Sequence, residues 1–330
     1  MNILVTGGAG FIGSCFVRHM LNKYPDYKII NIDALTYAGN IENLDDVKDN
    51  PNYTFVHGNI CDKKLVRELM SQVDCVVNFA AESHVDRSIT GPEIFIETNV
   101  QGTLNLLQSA KEANIQRYLQ VSTDEVYGTL GKTGYFYETT PIAPNSPYSA
   151  SKASADLLVR AYYETYKMPV LTTRCSNNYG PYQYPEKLIP FFISQLLKGE
   201  KVPVYGDGMN VRDWLYVYDH CAAIDTVLHK GRVGEVYNIG GHNEKTNLEI
   251  THLILDAMGK DESSIKYVED RLGHDRRYAI SNDKITSELG WKPSLTFEEG
   301  IKITIDWYLS NQDWIKSIEE KKASLVSWKE

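Results

Sequence analysis

Little in this chain could build a covalent or metal framework. Its five cysteines (Cys15, Cys61, Cys75, Cys175 and Cys221) are scattered over 330 residues, with no C-x-x-C pair. An odd, dispersed set of thiols argues against a disulfide scaffold or a structural zinc site. The eight histidines show no H-E-x-x-H spacing, so no metal is expected. Long apolar runs are lacking as well, and no cationic stretch precedes an apolar signal core at the amino end. The expectation is a cytosolic protein without membrane contact. Positive charge is also in deficit, with 34 basic against 43 acidic residues and a net charge of −9. A broad nucleic-acid surface needs concentrated cations and is not expected. A local anion pocket remains compatible with this balance.

What is present reads as an ordinary globular composition, 42% hydrophobic and 23% charged. Short apolar runs at 3–5, 28–32, 53–57, 75–79, 118–122 and 170–174 alternate with helical patterns at 11–23, 63–71, 99–112 and 149–166. Apolar strands alternating with helices predict β-α-β units and an α/β, doubly wound parallel sheet of the Rossmann type. After about Tyr179 the rhythm loosens, and Pro181, Pro185, Pro190 and Pro203 divide the chain into loops and short elements. We therefore expect a Rossmann domain over 1–178 and a smaller domain over 179–330. The boundary is interleaved, because a segment near 212–240, including 235–239, has the composition to return to the sheet. The charged run Lys316–Lys322 reads as a solvated helix face.

The string Thr6-Gly7-Gly8-Ala9-Gly10-Phe11-Ile12-Gly13 follows the first strand and opens the first helix. Glycines there permit a tight turn and close approach of backbone N–H groups to a pyrophosphate, and the helix N-terminus adds partial positive charge. Asp33, 20 residues beyond Gly13, ends the second strand. A carboxylate at that point accepts from ribose hydroxyls and repels a 2′-phosphate, favouring NAD over NADP.

Tyr148 and Lys152 stand four apart on one helix face, where an ammonium favours tyrosinate and lowers a phenol pKa of about 10. Such a phenol becomes a base near neutral pH. Thr123-Asp124-Glu125 directly follows a strand, at the sheet end that faces the cofactor cleft. Thr123 suits a substrate hydroxyl. Two adjacent carboxyl groups push their pKa values apart, so one stays protonated while the other ionises.

Together with Ala80–Ser88, Asn177–Pro181, Glu186–Pro190 and Gly273–Tyr278, these motifs resemble the nucleotide-sugar 4,6-dehydratases of the extended short-chain dehydrogenase/reductase family along nearly the whole chain. The acid pair carries most of the resemblance, since related epimerases lack it. The resemblance implies NAD as cofactor and dTDP-glucose as substrate, in deoxysugar synthesis of the rhamnose type. It implies that Tyr148 deprotonates the 4-hydroxyl during oxidation, Glu125 takes the C5 proton and protonated Asp124 assists departure of the C6 hydroxyl. It further implies an NAD site of Gly7, Gly10, Phe11, Ile12, Gly13, Asp33, Ala34, Leu35, Thr36, Asn59, Ile60, Phe79, Ala80, Ala81, Glu82, Ser83, Thr98, Tyr148, Lys152 and Asn178. Asn59 departs from the family's usual aspartate, its amide oxygen still able to accept from the adenine amino group. The implied nucleotide-sugar contacts are Ser83, Thr123, Asn177, Lys187, Leu188, Pro203, Val204, Tyr205, Arg212, Asn247, Asp270, Arg271, Leu272, Gly273 and His274. Arg212 would grip the diphosphate and Tyr205 would stack on the base, while Leu272 replaces a residue that is usually small.

Rival readings are a related NAD-dependent epimerase or decarboxylase, sharing Thr123, Tyr148 and Lys152, and a non-catalytic NAD-binding regulator. The base of the nucleotide is not fixed by any short motif. The helices 99–112 and 149–166 carry apolar residues on more than one side. This is compatible with burial inside one chain, and the family implies a homodimer through a four-helix bundle.

Overall fold

The computed structural model describes residues 1–270 and 275–327, with side chains through residue 321. Twelve strands are present among them: β1 (Asn2–Thr6), β2 (Lys28–Asp33), β3 (Tyr53–His57), β4 (Cys75–Asn78), β5 (Arg117–Thr123), β6 (Val170–Cys175), β7 (Asn177–Tyr179), β8 (Val202–Tyr205), β9 (Val211–Tyr216), β10 (Val236–Ile239), β11 (Glu244–Thr246) and β12 (Ile265–Val268). Seven form one all-parallel sheet in the order β10-β6-β5-β4-β1-β2-β3. The direction of winding reverses between β1 and β4, and the crevice beyond the strands' carboxyl ends opens there.

Both faces of this sheet are apolar, as a covered parallel sheet requires. Ile3 and Val5 of β1 pack with Phe16, Val17 and Met20 of the helix Phe11–Lys23 and Ile224 and Val227 of the helix Val217–Lys230. Leu4, between them in sequence, joins Leu106, Leu107 and Val159 on the other face. The period-2 alternation of strand side chains divides the core into these two layers.

The helix Pro147–Tyr166 begins two residues before its apolar pattern because Ser146 caps it and Pro147 occupies its first turn. Where the sequence suggests one helix over 99–112, the structure has a π-helix over Ile96–Gly102 followed by an α-helix over Thr103–Glu112. Contrary to the expectation above, Pro190 does not interrupt the chain. It sits in the first turn of the helix Leu188–Leu197, where a missing N–H loses no intrahelical bond.

Strands β11, β9 and β7 form a second sheet, β12 pairs with β8, and the helices Leu188–Leu197, Asn247–Ala257 and Phe297–Ser310 enclose a separate apolar cluster around Tyr179, Phe192, Trp214, Ile254 and Phe297. The helix Gln312–Ser327 is not merely a solvated face. It buries Ile315 and Ile318, and Lys321 Nζ lies 2.7 Å from Glu42 Oε1. No helix among the described residues is long and apolar enough to cross a membrane.

Candidate active site

The glycine-rich turn is shaped by what it must avoid. Gly7 has φ +70°, and a Cβ there would lie 2.7 Å from the Ala80 amide nitrogen; a Cβ on Gly13 would strike the Gly7 carbonyl oxygen. The helix Phe11–Lys23 starts at Gly10 with no side-chain cap and no acidic residue in its first turn, so its leading N–H groups remain available to an anion. Asp33, at the end of β2, accepts from Ala9 N at 2.9 Å and from Leu35 N at 2.8 Å. Burial raises its pKa, and these two amides oppose the shift. Each oxygen keeps lone-pair capacity for a ribose hydroxyl. Below the turn, Thr6, Asn78 and Gln120 form a buried polar chain, with Ala80 N donating to Thr6 Oγ1 at 3.2 Å.

This turn, the ends of β2 to β4 and the start of the helix Pro147–Tyr166 surround a cleft of about 320 Å³. Every residue expected at the NAD site lines it except Leu35. Leu35 adopts φ +49° and packs on the apolar layer beneath the first helix, so its side chain turns away from the cleft. The glycine cradle, the free helix terminus and Asp33 fit a dinucleotide. Asn59 differs from expectation in orientation. Its Oδ1 accepts from Cys61 N at 2.8 Å, so the oxygen expected to meet adenine is engaged by the chain itself.

At the inner end of the cleft, Thr123 closes β5 and caps a 3-10 turn, Asp124–Tyr127, by accepting from Glu125 N at 3.3 Å. Asp124 is 2% exposed, and its Oδ2 has no hydrogen-bond partner among the described residues. Burial, then the carboxylates of Glu125 and Asp213, raise its pKa far above the usual range, with Arg212 opposing. These surroundings favour the protonated form of Asp124. Tyr148 and Lys152 line the same cleft, and Lys152 Nζ donates to the Val121 carbonyl at 2.8 Å. The expectation that the lysine lowers the phenol pKa is overturned here. Burial and the Glu125 carboxylate push Tyr148 well up, because the ammonium is directed at a carbonyl and is not among the groups that dominate the phenol's environment. Burial likewise lowers Lys152, while Asp156 supports its charge.

A second cleft, of about 420 Å³, adjoins the first and shares Ser83, Glu125, Asn177, Asn178 and Lys187 with it. Leu188, Pro203, Val204, Tyr205, Arg212 and Asn247 line it, so the structure brings these expected sugar-nucleotide contacts together. Lys187 Nζ donates to Ser83 O at 3.3 Å across the opening. Arg212 is nearly enclosed, donating to the carbonyls of Val211 and Asp275 at 2.8 and 2.9 Å, with its guanidinium 4.5 Å from the Tyr278 ring centre. Its guanidinium keeps further donors that an anion can use. Asp270 is not on the cleft wall; its carboxyl lies beside Gly206, beyond the paired strands β8 and β12. Arg271, Leu272, Gly273 and His274 lie outside the described residues.

Several contributors carried no sequence signal. Asn99, on the π-helix, accepts from Glu82 N at 2.9 Å and donates to Glu82 O at 3.0 Å and to Ser151 Oγ at 2.8 Å. It thereby ties the Ala80–Ser83 loop to the helix that carries Tyr148. His220 is fully buried, its Nδ1 2.8 Å from Asn178 Oδ1, and burial lowers its pKa to about 3. Glu186 and Tyr278 also line the second cleft. These two lie within motifs named above, and Asp156 also had a signal, since Tyr148, Lys152 and Asp156 recur every four residues on one helix face.

Two neighbouring clefts, one shaped for a dinucleotide with an acid pair at its inner end and one lined by Arg212 and Tyr205, make a site for redox chemistry coupled to elimination. A family model described as GDP-mannose 4,6 dehydratase matches residues 4–304. The dTDP-glucose 4,6-dehydratase of Xanthomonas campestris pv. campestris (strain B100) is 56% identical, over 96% of this chain and 95% of its own. This chain belongs to the dTDP-glucose 4,6-dehydratase family. Among solved dTDP-glucose 4,6-dehydratases, that of Bacillus anthracis str. Ames, in complex with NAD, is 58% identical with a TM-score of 0.91, covering 96% of this chain and 99% of its own. DesIV of Streptomyces venezuelae, with NAD and TYD bound, is 53% identical with a TM-score of 0.94, over 96% and 100%. The family model and these relatives name different nucleotide sugars, and identity above one half over full length weighs toward the dTDP sugar.

Proposed function

We propose that this chain converts dTDP-glucose to dTDP-4-keto-6-deoxyglucose, a net dehydration that serves deoxysugar synthesis. The observation that carries the reading is Asp124, a buried carboxyl beside Glu125 in the cleft that also contains Tyr148 and Lys152, in surroundings that favour its protonated form. NAD, held by the glycine-rich turn and Asp33, would supply a hydride acceptor for C4 of the sugar and, once reduced, a hydride donor for C6. Tyr148 takes the proton of the 4-hydroxyl, and Lys152 is the cation on its helix face. The resulting ketone acidifies the C5 proton, which Glu125 removes, and C5 is reprotonated as C6 receives hydride. Asp124 gives its proton to the departing C6 hydroxyl, and Thr123 orients the sugar by hydrogen bonding. An acid beside a base suits loss of water across two adjacent carbons. Neither an epimerase nor a passive NAD-binding regulator has use for such a pair.

In the second cleft, Arg212 offers its donors to the diphosphate, Tyr205 a ring to the base, and Lys187, Asn177 and Asn247 polar contacts to the sugar nucleotide. The cofactor lobe is built mainly from residues before 178 with β10 returning to it, and the rest of the chain supplies most of the substrate cleft. Ile89, Ile94, Ile96 and Leu157 leave apolar side chains exposed on neighbouring helices, which suits pairing of two copies in a homodimer. A cytosolic location accords with a nucleotide-sugar substrate.

The test is turnover of dTDP-, UDP- and CDP-glucose side by side in deuterated water. The dTDP sugar should give a 4-keto-6-deoxy product carrying deuterium at C5. Product with unlabelled C5, or release of a C4 epimer, would overturn the assignment.

A further inference from the structure

Arg174, near the end of β6, is a buried cation placed between the two catalytic segments. Its Nε donates to Asp156 Oδ2 at 2.9 Å, and both side chains are almost inaccessible. Its Nη1 donates to Tyr127 OH at 3.0 Å, with the guanidinium 4.9 Å from that ring's centre. Tyr127 donates onward to Asn238 Oδ1 on β10 at 2.8 Å and stacks on Phe136 at 5.0 Å. Asp156 lies one turn beyond Lys152 on the helix Pro147–Tyr166, and Tyr127 ends the 3-10 turn that holds Asp124 and Glu125. None of these four residues lines either of the two catalytic clefts.

A buried ion pair contributes little net stability, because desolvation offsets most of its attraction; its best-attested use is to specify one arrangement. The arginine fork can hold two partners in a fixed relation, which a single ammonium cannot. We propose that Arg174, through Asp156 and Tyr127, is a positioning residue that sets the acid pair against the tyrosine–lysine helix, so that oxidation and elimination act on one bound sugar without rearrangement. The inference rests on the dehydratase reading. The helix end of the connection has independent anchors, Lys152 on Val121 O and Asn99 on Ser151. Tyr127 is the side-chain anchor of the turn's far end, so loosening it displaces the acids relative to the phenol.

Tyr127→Phe, which keeps the ring and removes the hydroxyl, is the deciding variant. Arg174→Lys, which retains the charge facing Asp156, is the second. In single turnover of the holoenzyme with dTDP-glucose, transient NADH absorbance reports oxidation as it rises and the later steps as it decays. Both variants should form NADH at a rate near the parent's, while its decay slows by about tenfold or more, as expected when acids shift by a fraction of an ångström. The keto sugar that has not lost water should accumulate meanwhile, trapped by borohydride. Parallel slowing of rise and decay in Tyr127→Phe, or unchanged kinetics with only a lower melting temperature, would overturn the proposal. Absence of an NADH transient in the parent would instead sink the dehydratase reading.

Discussion

An acid buried as deeply as Asp124 weakens the fold that contains it. Between the ordinary aspartate pKa of about 3.9 and the raised native value, the unfolded chain has released its proton and the folded chain has not. Stability therefore declines as pH rises across that window. Asp124→Asn has no proton to lose, so its melting temperature should gain on the parent's as pH rises above the ordinary aspartate range. The same substitution should lower kcat by about 10²- to 10⁴-fold by removing the acid for the departing hydroxyl. Equal pH dependence of melting in the two proteins would contradict the protonated state. His220 works in the opposite sense. With its native pKa near 3, its contribution is complete above about pH 6.5 and is lost as pH falls toward 3, up to a few kcal/mol. His220→Gln should flatten that acid limb in thermal melts. The acid pair was legible in the sequence because it interrupts an apolar strand end. His220, Arg174 and Asp156 were not assigned, since a buried polar residue and a solvated one look alike until a partner distant in sequence arrives.

Periodicity located the central strands to within a residue or so, and the helix Phe11–Lys23 to the residue, because apolar pattern and element ends coincide there. It failed at Ile96–Gly102, where one extra residue per turn leaves the apolar pattern nearly unchanged while redirecting Asn99. It was also silent on β7 and β11, three residues each, too short to alternate. The glycine turn shows the opposite case, in which chain geometry dictates the residue. Gly7→Ala would place a side chain in a left-handed conformation and against the Ala80 backbone. We expect the purified variant to retain less than about a tenth of the parent's NAD, a loss of about 1.4 kcal/mol or more in binding, measured by release after denaturation. Full retention would mean that the pyrophosphate does not rest on this turn.

At the scale of the whole molecule, the exposed residues Ile89, Ile94, Ile96 and Leu157 leave one side of the cofactor lobe poorly suited to water. On the proposed homodimer, Leu157→Glu should shift sedimentation from dimer to monomer, and an unchanged profile would exclude that face as the contact. The second lobe was only coarsely legible, because its core is assembled from Tyr179, Trp214, Ile254 and Phe297, drawn from segments far apart in sequence.

The helix Gln312–Ser327 reaches back across the molecule: Trp314 Nε1 donates to Asn43 Oδ1 at 2.9 Å, and Lys321 pairs with Glu42. Asn43 in turn donates to the carbonyl of Ala9, inside the glycine-rich turn. The last helix thus fastens like a buckle beneath the pyrophosphate cradle. Trimming the chain after Asn311 would be felt at Ala9, at the opposite end of the sequence, as a loosened grip on dinucleotide rather than as damage to the sugar pocket.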